Sequence, residues 1–184
     1  MYRYKKYNRY KSGGQKYSNE TTVVQENVTT EIQAGSTFPV DPNTHYKGVL
    51  IVAPTTILGN RKCKNFTIKI TANGNDDQIF GALVYVPEGT KASDMLVTSS
   101  SASLYEPNQN VISSFIIPPN ALRDGQGQFS QLSAPTQIVV SSKLSRNLNT
   151  GDSIALVFSC PNGMAASGEA PVTISGTVNY AIKF

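Results

Sequence analysis

Histidine, cysteine and tryptophan are nearly missing from this chain of 184 residues, which has one histidine, two cysteines and no tryptophan. The single imidazole, His45, is too little for a histidine metal cluster and supplies at most one histidine general base. Cys63 and Cys160 both lie in apolar runs, so we expect free, buried thiols and no disulfide. No nucleophile elbow or phosphate-binding glycine loop occurs. The chain is therefore expected to have no catalytic site, metal or cofactor, and not to be an enzyme.

Charge is also scarce, at 15% of residues against 39% hydrophobic. No apolar run approaches the roughly 20 residues of a membrane-spanning helix, and no apolar segment follows the basic N-terminal residues as it would in a secretory signal. We therefore expect no membrane partner. A surface covered by uncharged polar side chains fits subunit interfaces, whose cores are depleted in charge, and it fits a secreted β-sandwich equally well.

The charge that is present concentrates in residues 1–17, which hold six lysines or arginines, five tyrosines and no acid. The rest of the chain holds ten basic and twelve acidic side chains, so the first segment carries +6 and the remainder −2. Basic groups neutralise phosphates and tyrosine rings stack on bases, which suits a nucleic-acid strand. A solvated basic tail is the alternative. We predict an N-terminal arm at 1–17 and one domain at 18–184. The nucleic-acid-binding residues predicted in the arm are Tyr2, Arg3, Tyr4, Lys5, Lys6, Tyr7, Arg9, Tyr10, Lys11, Lys16 and Tyr17.

The domain is expected to be all-β. Apolar and polar residues alternate along 172–184, which is typical of a strand with one buried face. Gly176 falls on the apolar side of that alternation and indicates a bulge or a close backbone approach. A short helix is expected at 92–96 or 119–122. The predicted strands are 21–33, 48–52, 63–72, 78–86, 111–117, 136–144, 153–160 and 172–184. Eight strands without a fixed repeat favour a single eight-stranded antiparallel jelly roll.

A second basic cluster, Arg61, Lys62 and Lys64, opens the third of these strands and completes the predicted nucleic-acid-binding set. Strict alternation places Arg61 with Asn65, Thr67 and Lys69 on one face, opposite Phe66, Ile68 and Ile70. That polar face either lines a nucleic-acid surface or is an ordinary solvated sheet face.

Three segments add a family resemblance to this pattern: LYEPNQNVI at 104–112, RNLNTGDSI at 146–154 and the final alternating strand. With the tyrosine-rich basic arm, they resemble the coat proteins of circoviruses and related small circular single-stranded DNA viruses. The resemblance implies a jelly-roll subunit that self-assembles, as about sixty copies, into a T=1 icosahedral shell. It also implies a packaged single-stranded genome, circular DNA in that group, bound by an inward-facing arm. The implied location is the virion, and the host nucleus or cytoplasm during assembly, with an unknown host receptor.

Two other functions stay open at this point. One is a β-sandwich module that binds carbohydrate or a receptor, although tryptophan is absent and five of the nine tyrosines lie in the arm. The other is the coat protein of a satellite RNA virus. An enzyme on the same scaffold, such as a cupin, would need several histidine ligands where this chain has only His45.

Overall fold

The computed structural model describes residues 16–28, 46–76, 78–90, 92, 110–123, 129–159 and 172–184. These residues form eleven β-strands and no α-helix. The strands are β1 (Ser18–Val28), β2 (Tyr46–Val52), β3 (Arg61–Asn73), β4 (Ile79–Val86), β5 (Val111–Ile117), β6 (Ala121–Arg123), β7 (Phe129–Leu132), β8 (Ile138–Ser142), β9 (Arg146–Leu148), β10 (Ser153–Ser159) and β11 (Val172–Lys183). The all-β, antiparallel prediction is confirmed.

Each of the eight predicted strands is present, and β5 has the predicted bounds. The short strands β6, β7 and β9 were not predicted, and β6 and β7 form a hairpin. The helix expected at 119–122 is wrong, because Ala121 and Leu122 belong to β6. Residues 93–96, 29–33 and Cys160 lie outside the described part of the chain.

Eight strands pair in a nested order. β1 pairs with β11, β2 with β10, β3 with β8, and β4 with β5, all antiparallel. Pairing of β11 with β3 and of β10 with β4 joins these pairs into two sheets. Sheet A has the order β1-β11-β3-β8, with β9 beside β3, and sheet B has the order β2-β10-β4-β5. The first and last described strands are therefore neighbours in sheet A.

One apolar core fills the space between the two sheets. Its largest fully buried side chains come from both sheets and include Phe66 and Ile68 of β3 and Leu156 and Phe158 of β10. Burying a side chain of this kind contributes about 1.5–3 kcal/mol, so this shared face is what holds the sheets together. Cys63 lies in the same core as a free thiol, as predicted.

A bulge interrupts β3 at Asn65. Here two residues, Asn65 and Phe66, stand opposite the single residue Tyr180 of β11. Asn65 has a φ of 55°, in the left-handed region that asparagine tolerates better than most residues. The extra residue shifts the alternation by one position, because side chains on a strand alternate strictly between faces. Odd-numbered residues of β3 point into the core before the bulge, and even-numbered residues do so after it.

Gly176 of β11 marks a close backbone approach, which was one of the two alternatives predicted for it; the other was a bulge. A Cβ at this position would lie 2.0 Å from the carbonyl oxygen of Lys69 and 2.9 Å from the Cα of Ile70, both on β3. Its φ of 158° is also uncommon for residues with a side chain. The register of β11 against β3 runs through Gly176 without a shift, so the glycine allows close contact and makes no bulge.

The outer faces of the two sheets differ. Sheet B carries a second, small apolar cluster on its outer side, formed by Ala82, Val84, Val86, Ala155 and Val157 and packed against Ala92 and Val111. The outer side of sheet A carries mainly threonine, serine, asparagine and lysine. The two sides of the sandwich are therefore chemically distinct.

Candidate nucleic-acid interface

The outer side of sheet A presents four lysines, Lys62, Lys64 and Lys69 from β3 and Lys183 from β11, and we call this surface the lysine face. The pairing register sets its membership, because residues directly opposite each other point to the same side. The described outward positions of β1, β3, β8, β9 and β11 include no aspartate or glutamate. Within that part of the chain, the lysine face therefore has charge of one sign only.

Uncharged side chains fill the rows between the lysines and bind one another. The Thr21 hydroxyl donates to Asn179 Oδ1 over 2.6 Å, across β1 and β11. The Thr71 and Ser175 hydroxyls lie 3.1 Å apart, across β3 and β11. Such cross-strand pairs each stabilise a sheet by about 0.2–1 kcal/mol. These rows give the lysine face an ordered polar floor.

The lysines crowd toward one corner of the face, where β1 begins. Lys183 stands directly opposite Lys62 in the register, and Lys64 follows on the same side of β3. Tyr17, just before β1, places its ring 3.8 Å from the Lys64 ammonium and 5.7 Å from that of Lys183, measured to the ring centroid. We call Tyr17, Lys62, Lys64 and Lys183 the cationic corner.

The structure brings together part of the predicted nucleic-acid-binding set. Tyr17, Lys62 and Lys64 meet at the cationic corner, and the exposed Lys16 immediately precedes Tyr17 in the chain. The remaining predicted arm residues, namely Tyr2, Arg3, Tyr4, Lys5, Lys6, Tyr7, Arg9, Tyr10 and Lys11, lie outside the described residues. The arm sequence therefore leads directly into this corner.

Arg61 does not belong to that surface, and its predicted place beside Asn65, Thr67 and Lys69 is wrong. Its side chain is 7% exposed and points inward, because the bulge at Asn65 reverses the alternation behind it. Its guanidinium donates to the carbonyl oxygens of Ala53 (2.8 Å) and Asp152 (3.0 Å). Arg61 thus ties the β2–β3 loop to the turn before β10.

Asp152 organises the same end of the sandwich. Asp152 is only 4% exposed, and its carboxylate accepts three hydrogen bonds. The donors are the Tyr85 hydroxyl (2.7 Å) and the backbone N–H groups of Asn149 (2.8 Å) and Glu88 (3.1 Å). Burial and this hydrogen bond to Asp152 raise the pKa of Tyr85 to about 12. Burial likewise raises the pKa of the Cys63 thiol to about 11, which keeps it protonated and unreactive at neutral pH.

Lys183 is the member of the corner that sequence reasoning missed. The alternation of β11 already placed it on the polar side with Ser175 and Asn179, and that was the available signal. What the sequence did not reveal was the partner strand, since only the pairing of β11 with β3 sets Lys183 against Lys62.

Other kinds of site find no support in the described residues. They contain no group of three or more histidine, cysteine, aspartate or glutamate side chains placed to hold a metal ion. The same residues include no helix long and apolar enough to span a bilayer. His45, the single imidazole of the sequence, lies outside the described residues.

Comparisons with known proteins identify no family. No family model matches the chain, and no curated protein does. One similar solved structure is a CocE/NonD family hydrolase from Staphylococcus aureus, with 8% identity and a TM-score of 0.41. The match covers 92% of this chain but only 37% of the hydrolase.

This neighbour contradicts the prediction that the chain is not an enzyme, and we withdraw that prediction. A likeness at this identity and TM-score carries no argument for hydrolysis in its own right. The comparison therefore assigns neither a reaction nor catalytic residues to the chain.

Proposed function

We propose that this chain is a viral capsid protein that self-assembles into a small icosahedral shell and packages single-stranded nucleic acid. The observation that carries the proposal is the continuity between the arm and the lysine face. A segment with six basic residues and no acid leads into a sheet surface with four lysines and no described acid. Cationic surfaces without compensating acids bind polyanions, and release of counterions from the nucleic acid drives that binding.

We further propose that the domain is a single jelly roll. The nested pairing of β1 with β11, β2 with β10, β3 with β8 and β4 with β5 supports this, because a long hairpin folded across two sheets produces that order. The jelly roll is an architecture of viral capsid domains and of lectins. On this reading β6, β7 and β9 are additions within the loops of the roll.

The placement of charge also suits a shell. Tyr17 and the lysines of the cationic corner lie on the outer side of sheet A, while the clustered residues on the outer side of sheet B are apolar and buried. In a closed shell the lysine face would line the interior and the arm would extend from its edge.

Charge alone does not neutralise a genome. Sixty arms with six basic residues each supply about 360 positive charges, and the lysine faces add about 240, against one negative charge per nucleotide. A genome of a thousand or more nucleotides would therefore keep part of its charge. Stacking on the arm tyrosines, about 1–3 kcal/mol per base, adds affinity that needs no charge and favours unpaired bases.

Light scattering coupled to size-exclusion chromatography, followed by electron microscopy, tests the proposal. We expect uniform particles of about 1.2 MDa, sixty times the 19.8 kDa chain. Replacing Arg3, Lys5, Lys6, Arg9 and Lys11 with glutamine should leave the particles intact and lower their 260/280 nm absorbance ratio. A stable 20 kDa monomer at every salt concentration and pH would refute the proposal and favour a carbohydrate- or receptor-binding module.

The packaged strand identifies the kind of virus. Nucleic acid extracted from the particles should be degraded by a single-strand-specific nuclease and by DNase, as expected for a small circular DNA virus. Sensitivity to RNase would instead support the coat protein of a satellite RNA virus.

A further inference from the structure

The cationic corner contains an arrangement that costs the fold stability. Lys183 and Lys62 stand directly opposite each other on neighbouring strands, with Lys64 on the same side. Like charges in directly opposed positions destabilise a sheet, and no described acid lies on this face to compensate them. A ligand with negative charge would remove that repulsion.

The contact between the Tyr17 ring and the Lys64 ammonium is weak. A cation–π contact at an exposed site, such as that between the Lys64 ammonium and the Tyr17 ring at 3.8 Å, contributes about 0.5–1 kcal/mol. A charge-assisted hydrogen bond from lysine to phosphate is stronger, and a base stacked on the freed ring contributes about 1–3 kcal/mol. Exchange of the lysine for a nucleotide is therefore favourable at both ends.

Resting on the function proposed above, we infer that the cationic corner is a nucleotide-sized subsite for single-stranded nucleic acid, at the junction between the arm and the domain. One base stacks on Tyr17, and its flanking phosphates are held by Lys64, Lys183 and Lys62. The nucleic-acid strand then runs over the polar floor toward Lys69. The β11 partners of Lys64 and Lys69 are Ala181 and Thr177, four residues apart, so the two lysines are separated by about 13 Å along the sheet at about 3.3 Å per residue.

The subsite does not read the sugar. Beyond the corner, the polar side chains are engaged with one another, as in the Thr21–Asn179 and Thr71–Ser175 contacts. The contacts proposed for the subsite are to phosphates and to one base, and none is to the 2′-hydroxyl, which is what distinguishes RNA from DNA. The occupant is thus any single strand, with DNA and RNA bound about equally.

The test uses the full chain with a silenced arm, so that only the corner remains. Arg3, Lys5, Lys6, Arg9, Lys11 and Lys16 become glutamine, and Tyr2, Tyr4, Tyr7 and Tyr10 become serine. Fluorescence anisotropy then measures binding of labelled oligothymidylate, oligouridylate and a duplex of equal length at several salt concentrations. We expect binding of both single strands, weaker binding of the duplex, and a slope of log K against log salt of about −2, from three contacts at about −0.7 each.

Variants in this background assign the roles. Tyr17→Leu should weaken binding about 5- to 150-fold with an unchanged salt slope, and Tyr17→Phe should retain it, because stacking needs the ring alone. The double variant Lys64→Gln/Lys183→Gln should reduce the slope by about 1.4. Far-UV circular dichroism of each variant verifies that the β-fold is kept.

The outcomes separate this inference from the proposed function. If the silenced-arm protein does not bind while the natural chain packages nucleic acid, or if Tyr17→Leu binds as tightly as its parent, the subsite is refuted and the capsid proposal stands. If the duplex binds better than the single strands, stacking is refuted. Failure of the natural chain to form particles or bind nucleic acid would instead refute the proposed function.

Discussion

Replacing Arg61 with methionine separates structural support from nucleic-acid binding. The guanidinium donates to the carbonyl oxygens of Ala53 and Asp152, and a hydrogen bond from a charged group contributes about 1.5–3 kcal/mol. Two such bonds set a range of about 3–6 kcal/mol. Release of the buried charge offsets part of this loss, and the buried Nε of Arg61 has no partner among the described residues. We therefore expect the free energy of unfolding to fall by about 3 kcal/mol.

Lys62 provides the matched control, since it is the next residue along β3 and points to the opposite side. Lys62→Met should change the free energy of unfolding by no more than about 0.5 kcal/mol, as exposed substitutions usually do. Urea unfolding at one fixed protein concentration, followed by circular dichroism, measures both variants. In oligonucleotide titrations, Lys62→Met should reduce the salt slope by about 0.7 and Arg61→Met should not change it.

The reverse pattern would refute this reasoning. If Arg61→Met is as stable as the natural chain and reduces the salt slope as Lys62→Met does, then Arg61 reaches the nucleic acid. The inward direction assigned to it after the bulge at Asn65 would then be wrong.

Two further predictions concern the fold. Gly176→Ala should lower the free energy of unfolding by at least about 2 kcal/mol more than Gly59→Ala. Both glycines have positive φ, but a Cβ at position 176 would meet the Lys69 carbonyl oxygen, whereas a Cβ at position 59 would have nothing within 4 Å. Equal losses of stability in urea unfolding would show that β11 moves aside freely. Tyr85 has a folded-state pKa of about 12, above its ordinary value of 10, so its contribution to stability is present below pH 10 and is lost as the pH rises toward 12. Tyr85→Phe should therefore flatten the fall in thermal stability over that pH interval, and an unchanged pH profile would contradict the raised pKa.

Much of the fold could be predicted from the sequence, because period-2 alternation and turn residues are local signals. The final strand and the close approach at Gly176 both follow from neighbouring residues. The strands β6 and β9 have only three residues each and carry no alternation long enough to detect.

The candidate site was harder to predict because it depends on a bulge and on pairing. A left-handed asparagine at position 65 looks like any other strand asparagine in the sequence, yet it reverses which side Arg61 faces. Likewise, Lys183 and Lys62 are distant in sequence, and only the β11–β3 register makes them neighbours. Composition located the basic residues, but tertiary pairing decides which of them share a surface.

β11 lies between β1 and β3, so sheet A depends on a strand that is synthesised late. β1 pairs with β11, in contacts such as Thr21 with Asn179 across 158 residues, and the described part of sheet A offers β1 no other neighbour. Contacts so far apart in sequence form late in folding, because closing the long intervening loop costs entropy before any contact forms. A chain whose synthesis stops before β11 leaves β1 unpaired and the edge of β3 bare. Prematurely terminated chains that lack β11 therefore cannot form the lysine face.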